Sequence, residues 1–300
     1  MGLLGNKAAF SPLSEEELAV EIPKKNYLII GGTAGIGKAL AESLLKRNAA
    51  VTIVGRRSLD SSLSKAVLVK KDLSLMKNAR ELADEVDVTM FDVIVFTNGI
   101  ISQKTRVETA DGIEQDLAVS YLSRLAFLKR AVEIGFPSDK RKDTSRKPRV
   151  FIMGYPGKEQ SVNLDDFNSE KEYKQWPAHM NTVVGNEALV YDFGDKNPLV
   201  NVYALNPGLI KTDIRTNVLG TGVLKSFVEG AIGLFCKSAG KYSESVLLQL
   251  MVTPDIENTS KLVFECDGSL LKRNPFLAEE NQLKVVKASE ELLRKAQSMP

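Results

Sequence analysis

Histidine is almost absent from this chain: His179 is the only one in 300 residues. One imidazole and two scattered thiols cannot assemble the His, Cys and carboxylate set of a zinc centre, so no metal is expected. The two cysteines, Cys236 and Cys266, cannot build a disulfide framework, which fits a reducing compartment. An excess of one charge is missing too. Forty Lys and Arg stand against 38 Asp and Glu, a net charge of +2, which gives no basic footprint for nucleic acid or for an anionic membrane. No uncharged apolar run approaches the ~18 residues that would span a bilayer. The N-terminus, Met1-Gly2-Leu3-Leu4-Gly5-Asn6, has neither the charged start and apolar stretch of a secretory signal nor an Arg-rich transit composition. Gly2 is paired with Asn6 where an acylation motif wants Ser or Thr. These absences lead to the expectation of a cytoplasmic enzyme with a small-molecule partner, no nucleic acid and no transmembrane segment. A homo-oligomer stays open.

The chain has the balance of a soluble globular protein, 43% hydrophobic and 26% charged, and is long enough for one large α/β domain or two small ones. Short apolar runs alternate with longer amphipathic ones, the pattern of βαβ units whose strands are buried on both faces. Strands are expected at Tyr27–Ile30, Val51–Val54, Val67–Val69, Val93–Phe96, Val150–Met153, Val200–Ala204 and Leu262–Cys266. Helices are expected at Gly35–Arg47, Ser74–Val86, Gly112–Ile134, Asn181–Phe193, Ser243–Met251 and Ala278–Gln297. The expected fold class is α/β: a Rossmann-like doubly wound parallel sheet of about seven strands with helices on both faces. Residues 1–25 read as an N-terminal extension, 26–276 as the main domain and 277–300 as a C-terminal helix.

Two segments interrupt the alternation. Pro137–Arg149 holds Lys140, Arg141, Lys142, Arg146, Lys147 and Arg149 without an aromatic among them, and reads as a solvated loop rather than a nucleic-acid arm. Gly157–Trp176 is a long polar stretch after the fifth strand, placed where loops shape binding sites.

Tyr27 to Leu40 gives a buried strand, a glycine-rich turn containing Gly31, Thr33, Gly35, Ile36 and Gly37, and the start of a helix. Such a turn brings backbone close under a pyrophosphate and offers it the free N–H groups of the helix N-terminus. After the second strand, Arg56 and Arg57 stand where a protein selecting NAD places a carboxylate for the ribose 2′-hydroxyl. Paired guanidiniums suit a 2′-phosphate, so NADP(H) is preferred, with NAD(H) left open. Asp72 and Leu73 either serve the adenine or, through Asp72, cap the next helix.

From about Asn26 to Cys266 the chain resembles the short-chain dehydrogenase/reductase family, in a divergent, retinol-dehydrogenase-like branch. The resemblance is carried by the Gly31-x-x-x-Gly35-Ile36-Gly37 turn, by Thr97-Asn98-Gly99 after the fourth strand and by Asn206-Pro207-Gly208 through Thr212 after the sixth. It implies cofactor contacts at Asn98, Gly99, Pro207, Gly208, Ile210 and Thr212. The family's catalytic set of Asn, Ser, Tyr and Lys is altered at every position. Ser120 stands for the Asn and Gly154 or Tyr155 for the Ser. The stretch Ala178-His179-Met180-Asn181-Thr182-Val183-Val184-Gly185-Asn186 matches the family's Ala-Tyr-x-x-Ser-Lys-Leu-Ala-Asn, which places His179 on the tyrosine and Val183 on the lysine. A competing register places Thr182 and Asn186 on that pair.

An imidazolium with a reference pKa of ~6.5 can donate a proton near neutral pH without a lysine beside it. The expectation is therefore an NAD(P)H-dependent reductase of an aldehyde or ketone, with His179 as proton donor. Tyr155 would orient the carbonyl, Ser120 or Thr182 would hold a water, and Asn186 and Thr212 would compensate the lost lysine at the cofactor. Two other readings stand beside it: an inactive dinucleotide-binding sensor, and a non-redox isomerase or cyclase with His179 as base. The resemblance also makes Gly222–Phe235 a lid over an apolar substrate, the other reading being a dimer or peripheral membrane contact.

Overall fold

The computed structural model describes residues 8–101, 103–157, 159–208 and 238–298. Its centre is an eight-stranded sheet in the order β3-β2-β1-β4-β5-β6-β7-β8. The strands are β1 (Asn26–Ile30), β2 (Ala50–Gly55), β3 (Val67–Lys70), β4 (Val93–Phe96), β5 (Arg149–Met153), β6 (Asn201–Leu205), β7 (Leu262–Phe264) and β8 (Leu270–Leu271). All pairings are parallel except β7 with β8. Every residue of β4, β5 and β6 is buried, which is why these strands are continuous apolar runs rather than alternating ones.

One face of the sheet is covered by α3 (Met76–Glu85), α4 (Gln115–Leu117), α5 (Ser123–Glu133), α6 (Gln175–Lys196) and the C-terminal α9 (Glu279–Gln297). The other is covered by α1 (Glu15–Glu21), α2 (Gly35–Lys46), α7 (Ala239–Tyr242) and α8 (Leu248–Val252). Phe10, Leu18 and Ile22 join the second core, and the Leu13 N–H donates to the Gln249 side chain at 2.8 Å, so residues before β1 pack against the sheet layer. No helix among the described residues is long and apolar enough to cross a membrane.

The expected strands lie within about a residue of the observed ones, except that the seventh ends at Phe264 rather than Cys266. Three features differ more. The helix carrying His179 begins at Gln175, six residues before the expected Asn181, because Pro177 sits in its first turn, where a missing N–H costs no helical bond. The helix α1 and the two-residue strand β8 are too short to leave a periodic trace. The third difference is the basic segment 137–149, expected to be solvated. Arg141 donates to the Ser138, Asp143 and Arg146 carbonyls, and Arg149 reaches the Leu250 and Thr253 carbonyls and Glu257. The charges of Arg141 and Arg149 are turned inward at the sheet's N-terminal edge, whereas Lys140, Lys142 and Lys147 are exposed as expected.

In that cluster the Lys25 ammonium bonds Asp143, with 5% and 14% of their side chains exposed. Burial works to raise the Asp143 carboxyl, but hydrogen bonds from Lys25 and Ser145 outweigh it and hold the group at about 2. A folded value below the unfolded ~3.9 means stability that is complete above about pH 4 and lost as pH falls toward 2. Asp143→Ala should leave Lys25 buried without its partner and lower stability by about 2–3 kcal/mol. Urea denaturation at pH 7 checks this, and a loss under 1 kcal/mol would contradict the buried-pair account.

Candidate active site

Strand order reverses between β1 and β4, and in doubly wound sheets ligands bind in the crevice beyond the C-terminal ends of the strands at such a point. The glycine turn after β1 lies here. Gly31 has φ +96° and its N–H donates to the Val54 carbonyl at 2.8 Å. A Cβ on Gly31 would lie 2.5 Å from the Asn98 amide nitrogen, and one on Gly37 would lie 2.6 Å from the Gly31 carbonyl oxygen. The turn thus needs these glycines to close on itself and on the β4 loop, before any phosphate is considered. Gly35 opens α2 with φ +56°, and Ala34 before it provides no side-chain cap, which leaves the helix's first N–H groups free of side-chain acceptors. Thr33 fits against Gly55, where a Cβ would come within 2.7 Å of its hydroxyl. Ile36 is half-buried against the second core.

Arg56 and Arg57 are exposed beyond β2, and neither makes a hydrogen bond or ion pair with a described residue. Asp72 accepts the Ser74 N–H at 3.0 Å in a local turn ahead of α3, whose N-cap is Leu75 without a side-chain bond, while Leu73 is buried. Asn98 donates to the Val119 carbonyl at 2.7 Å, and its buried Oδ1 has no partner among the described residues. Gly208, after Pro207, has φ +66° and its N–H donates to Asn206 Oδ1 at 3.0 Å. Ile210, Thr212, Cys236 and the expected lid at Gly222–Phe235 lie outside the described residues. A helix N-terminus without a side-chain cap and an orphaned buried acceptor beside the glycine turn fit a dinucleotide.

Farther along the crevice, α4 runs into α5 through a π-turn at Ala118–Leu122. The widened turn leaves two carbonyls for side chains: Val119 accepts Asn98 at 2.7 Å and Ser120 accepts Asn186 at 2.8 Å. One turn earlier sits Asp116, fully buried. Its Oδ2 is 2.7 Å from His179 Nδ1, and its Oδ1 accepts the Ser120 hydroxyl at 2.5 Å. Since a carboxylate only accepts, the bond assigns the neutral ring's proton to Nδ1 and leaves Nε2 as the reactive nitrogen. His179 keeps 17% of its side chain exposed, and its ring lies 5.6 Å from that of Trp176, which is 57% exposed.

The structure joins His179 to Ser120 through Asp116, a residue that sequence reasoning did not single out. Both hydroxyls expected to hold a water have protein partners. Ser120 is engaged by Asp116 and by the Ile100 N–H at 2.9 Å, and Thr182 donates to the His179 carbonyl at 2.7 Å as a helix back-bond. Asn186 bonds the Ser120 and Thr182 carbonyls and accepts from Arg124 at 3.0 Å. Val183 is buried and brings no amine. Tyr155 stands half-buried two residues beyond β5. The loop behind it is held by the buried carboxylate of Glu187, which accepts the Gly157 N–H at 2.8 Å and the Asn274 N–H at 2.7 Å. Asp116, Ser120 and Arg124 recur every four residues along a largely apolar helical run, and that spacing was the available signal for the first and last of them.

No family model matches the chain. Over 283 residues it is 38% identical to an uncharacterized oxidoreductase of Saccharomyces cerevisiae, covering 92% of this chain and 90% of that protein. Human retinol dehydrogenase 12 is 26% identical over 213 residues, covering 65% of this chain and 64% of its own length. Pseudomonas aeruginosa RhlG, solved as an active-site complex with NADP, superposes with a TM-score of 0.59 at 16% identity, over 81% of this chain and 95% of that one. A short-chain dehydrogenase of Shigella flexneri complexed with NADP gives 0.58 at 13% identity, over 82% and 98%. At these identities the structural matches establish likeness of fold.

Proposed function

The chain belongs to the short-chain dehydrogenase/reductase family, and on that premise we propose that it reduces an aldehyde or ketone with NADPH, using His179 in place of the family's tyrosine. The observation that carries this reading is the 2.7 Å bond between His179 Nδ1 and the buried Asp116. When bound, the nicotinamide supplies a hydride to the carbonyl carbon. His179 Nε2 gives its proton to the carbonyl oxygen, completing the alcohol, and the ring is left as the Nδ1–H tautomer that Asp116 already holds. Asp116 fixes the ring's direction, and Ser120 fixes Asp116. Tyr155 takes the orienting role toward the substrate oxygen. The Gly31–Gly37 turn and the start of α2 hold the pyrophosphate, with Asn98 and Gly99 toward the nicotinamide and Arg56 and Arg57 on the 2′-phosphate.

The test is consumption of NADPH with a panel of aldehydes and ketones. A protein that binds the dinucleotide tightly and turns over no member would be a sensor, and one that loses activity on His179 substitution yet works without nicotinamide would be a non-redox enzyme. Replacing Arg56 and Arg57 together by Ala should weaken NADPH by about tenfold or more while leaving NADH within about twofold, each guanidinium–phosphate bond contributing on the order of 1.5–3 kcal/mol less its exposure to water. Calorimetric titration with both cofactors decides it, equal losses being the outcome that rejects the 2′-phosphate assignment.

A further inference from the structure

Arg124 is an unusual residue to find at the floor of this crevice. It is 3% exposed, and its guanidinium donates to the Met153 carbonyl at 2.6 Å, to Asn186 Oδ1 at 3.0 Å and to the Asn98 carbonyl. These are neutral acceptors at the C-terminal ends of β4 and β5 and on α6. Among the described residues no carboxylate pairs with it, and its buried Nε has no acceptor. The carboxylate that acts on it at longer range, Asp116, is already bonded to His179 and Ser120. Burial pushes the guanidinium down to about 9, with Asp116 drawing it back up, so it is charged at neutral pH. A buried cation without a counter-ion costs desolvation that bonds to neutral acceptors offset only in part, and those acceptors could equally be met by a neutral donor. Its position gives a reason for the charge. A Cβ on Gly99 would lie 3.8 Å from the terminal guanidinium nitrogen, which places the charge directly behind the backbone that lines the crevice.

We infer that Arg124 is the fixed positive charge of the nicotinamide half of the crevice, and that it makes the protein hold reduced dinucleotide more tightly than oxidised. The inference rests on the dinucleotide reading above. The oxidised nicotinamide ring carries a positive charge that the reduced ring lacks, and two like charges in a protein interior repel. The reduced form escapes that repulsion. On the neighbouring face of α6, Val183 is apolar and Asn186 is neutral, and the charge of a protonated His179 is complemented by Asp116, which leaves Arg124 as the cation without a carboxylate partner among the described residues.

The experiment is calorimetric measurement of Kd for NADPH and for NADP+ with the wild type, Arg124→Lys and Arg124→Gln. The wild type should bind NADPH about tenfold more tightly than NADP+, the order expected for unit charges ~10 Å apart at an effective dielectric of ~20. Arg124→Lys should keep most of that ratio, and Arg124→Gln should bring it within about twofold of one. A ratio that survives in Arg124→Gln overturns the inference and leaves Arg124 as a neutral brace between strands. A wild-type ratio near one overturns it as well, even where the glutamine variant does not fold. A wild type that binds neither form brings down the dinucleotide reading itself, and this result is distinct from both.

Discussion

His179→Gln is expected to lower kcat for carbonyl reduction by ~10²-fold or more while leaving the Kd for NADPH within about twofold. The amide keeps a donor beside Asp116 but cannot deliver a proton at neutral pH, so the loss falls on the chemical step. Steady-state kinetics on an accepted aldehyde, read beside calorimetric binding, separates the two effects. An unchanged kcat would move the proton-donor role to another group, and Tyr155, half-buried just beyond β5, would be the first to try.

Asp116→Asn should cost on the order of 10²-fold in kcat with little change in melting temperature. The carboxamide occupies the same volume, and its oxygen can still accept the Ser120 hydroxyl. Its nitrogen, however, would donate to His179 Nδ1, which forces the ring's proton onto Nε2 and removes the negative charge that complements a protonated ring. The loss should not add to that of His179→Gln: the double variant is expected to be no slower than His179→Gln alone, because the two side chains act as a unit. Additive losses would mean that Asp116 serves the fold and not the ring.

Much of the architecture is legible in the chain because buried parallel strands have to be continuous apolar runs. Tyr27–Ile30, Val93–Phe96 and Val150–Met153 therefore stand out from the amphipathic segments between them. The glycine turn is equally plain, although two of its glycines answer to Asn98 and to the turn's own carbonyl as much as to any ligand. Side-chain commitments across long sequence separations are not legible. Asp116 and His179 are 63 residues apart, and no local pattern says that one acid among 38 reaches that imidazole. Arg124 inside a helix reads as a solvated charge until the π-turn and the ends of β4 and β5 are seen around it. The basic run 137–149 misleads for the same reason, since its partners are backbone carbonyls from distant segments, and carbonyls leave no trace in a sequence.

The acid behind His179 also limits how this protein could be turned back toward its relatives. A phenol introduced at position 179 would be left as its anion on giving up its proton, and that anion would face a carboxylate sealed from water with no ammonium at Val183 to offset it. Tyrosine and lysine grafted at 179 and 183 would therefore still meet an opposing field until Asp116 was neutralised as well. The present arrangement and a Tyr–Lys one are separated by at least three coordinated replacements, and each intermediate between them would carry a mismatched pair.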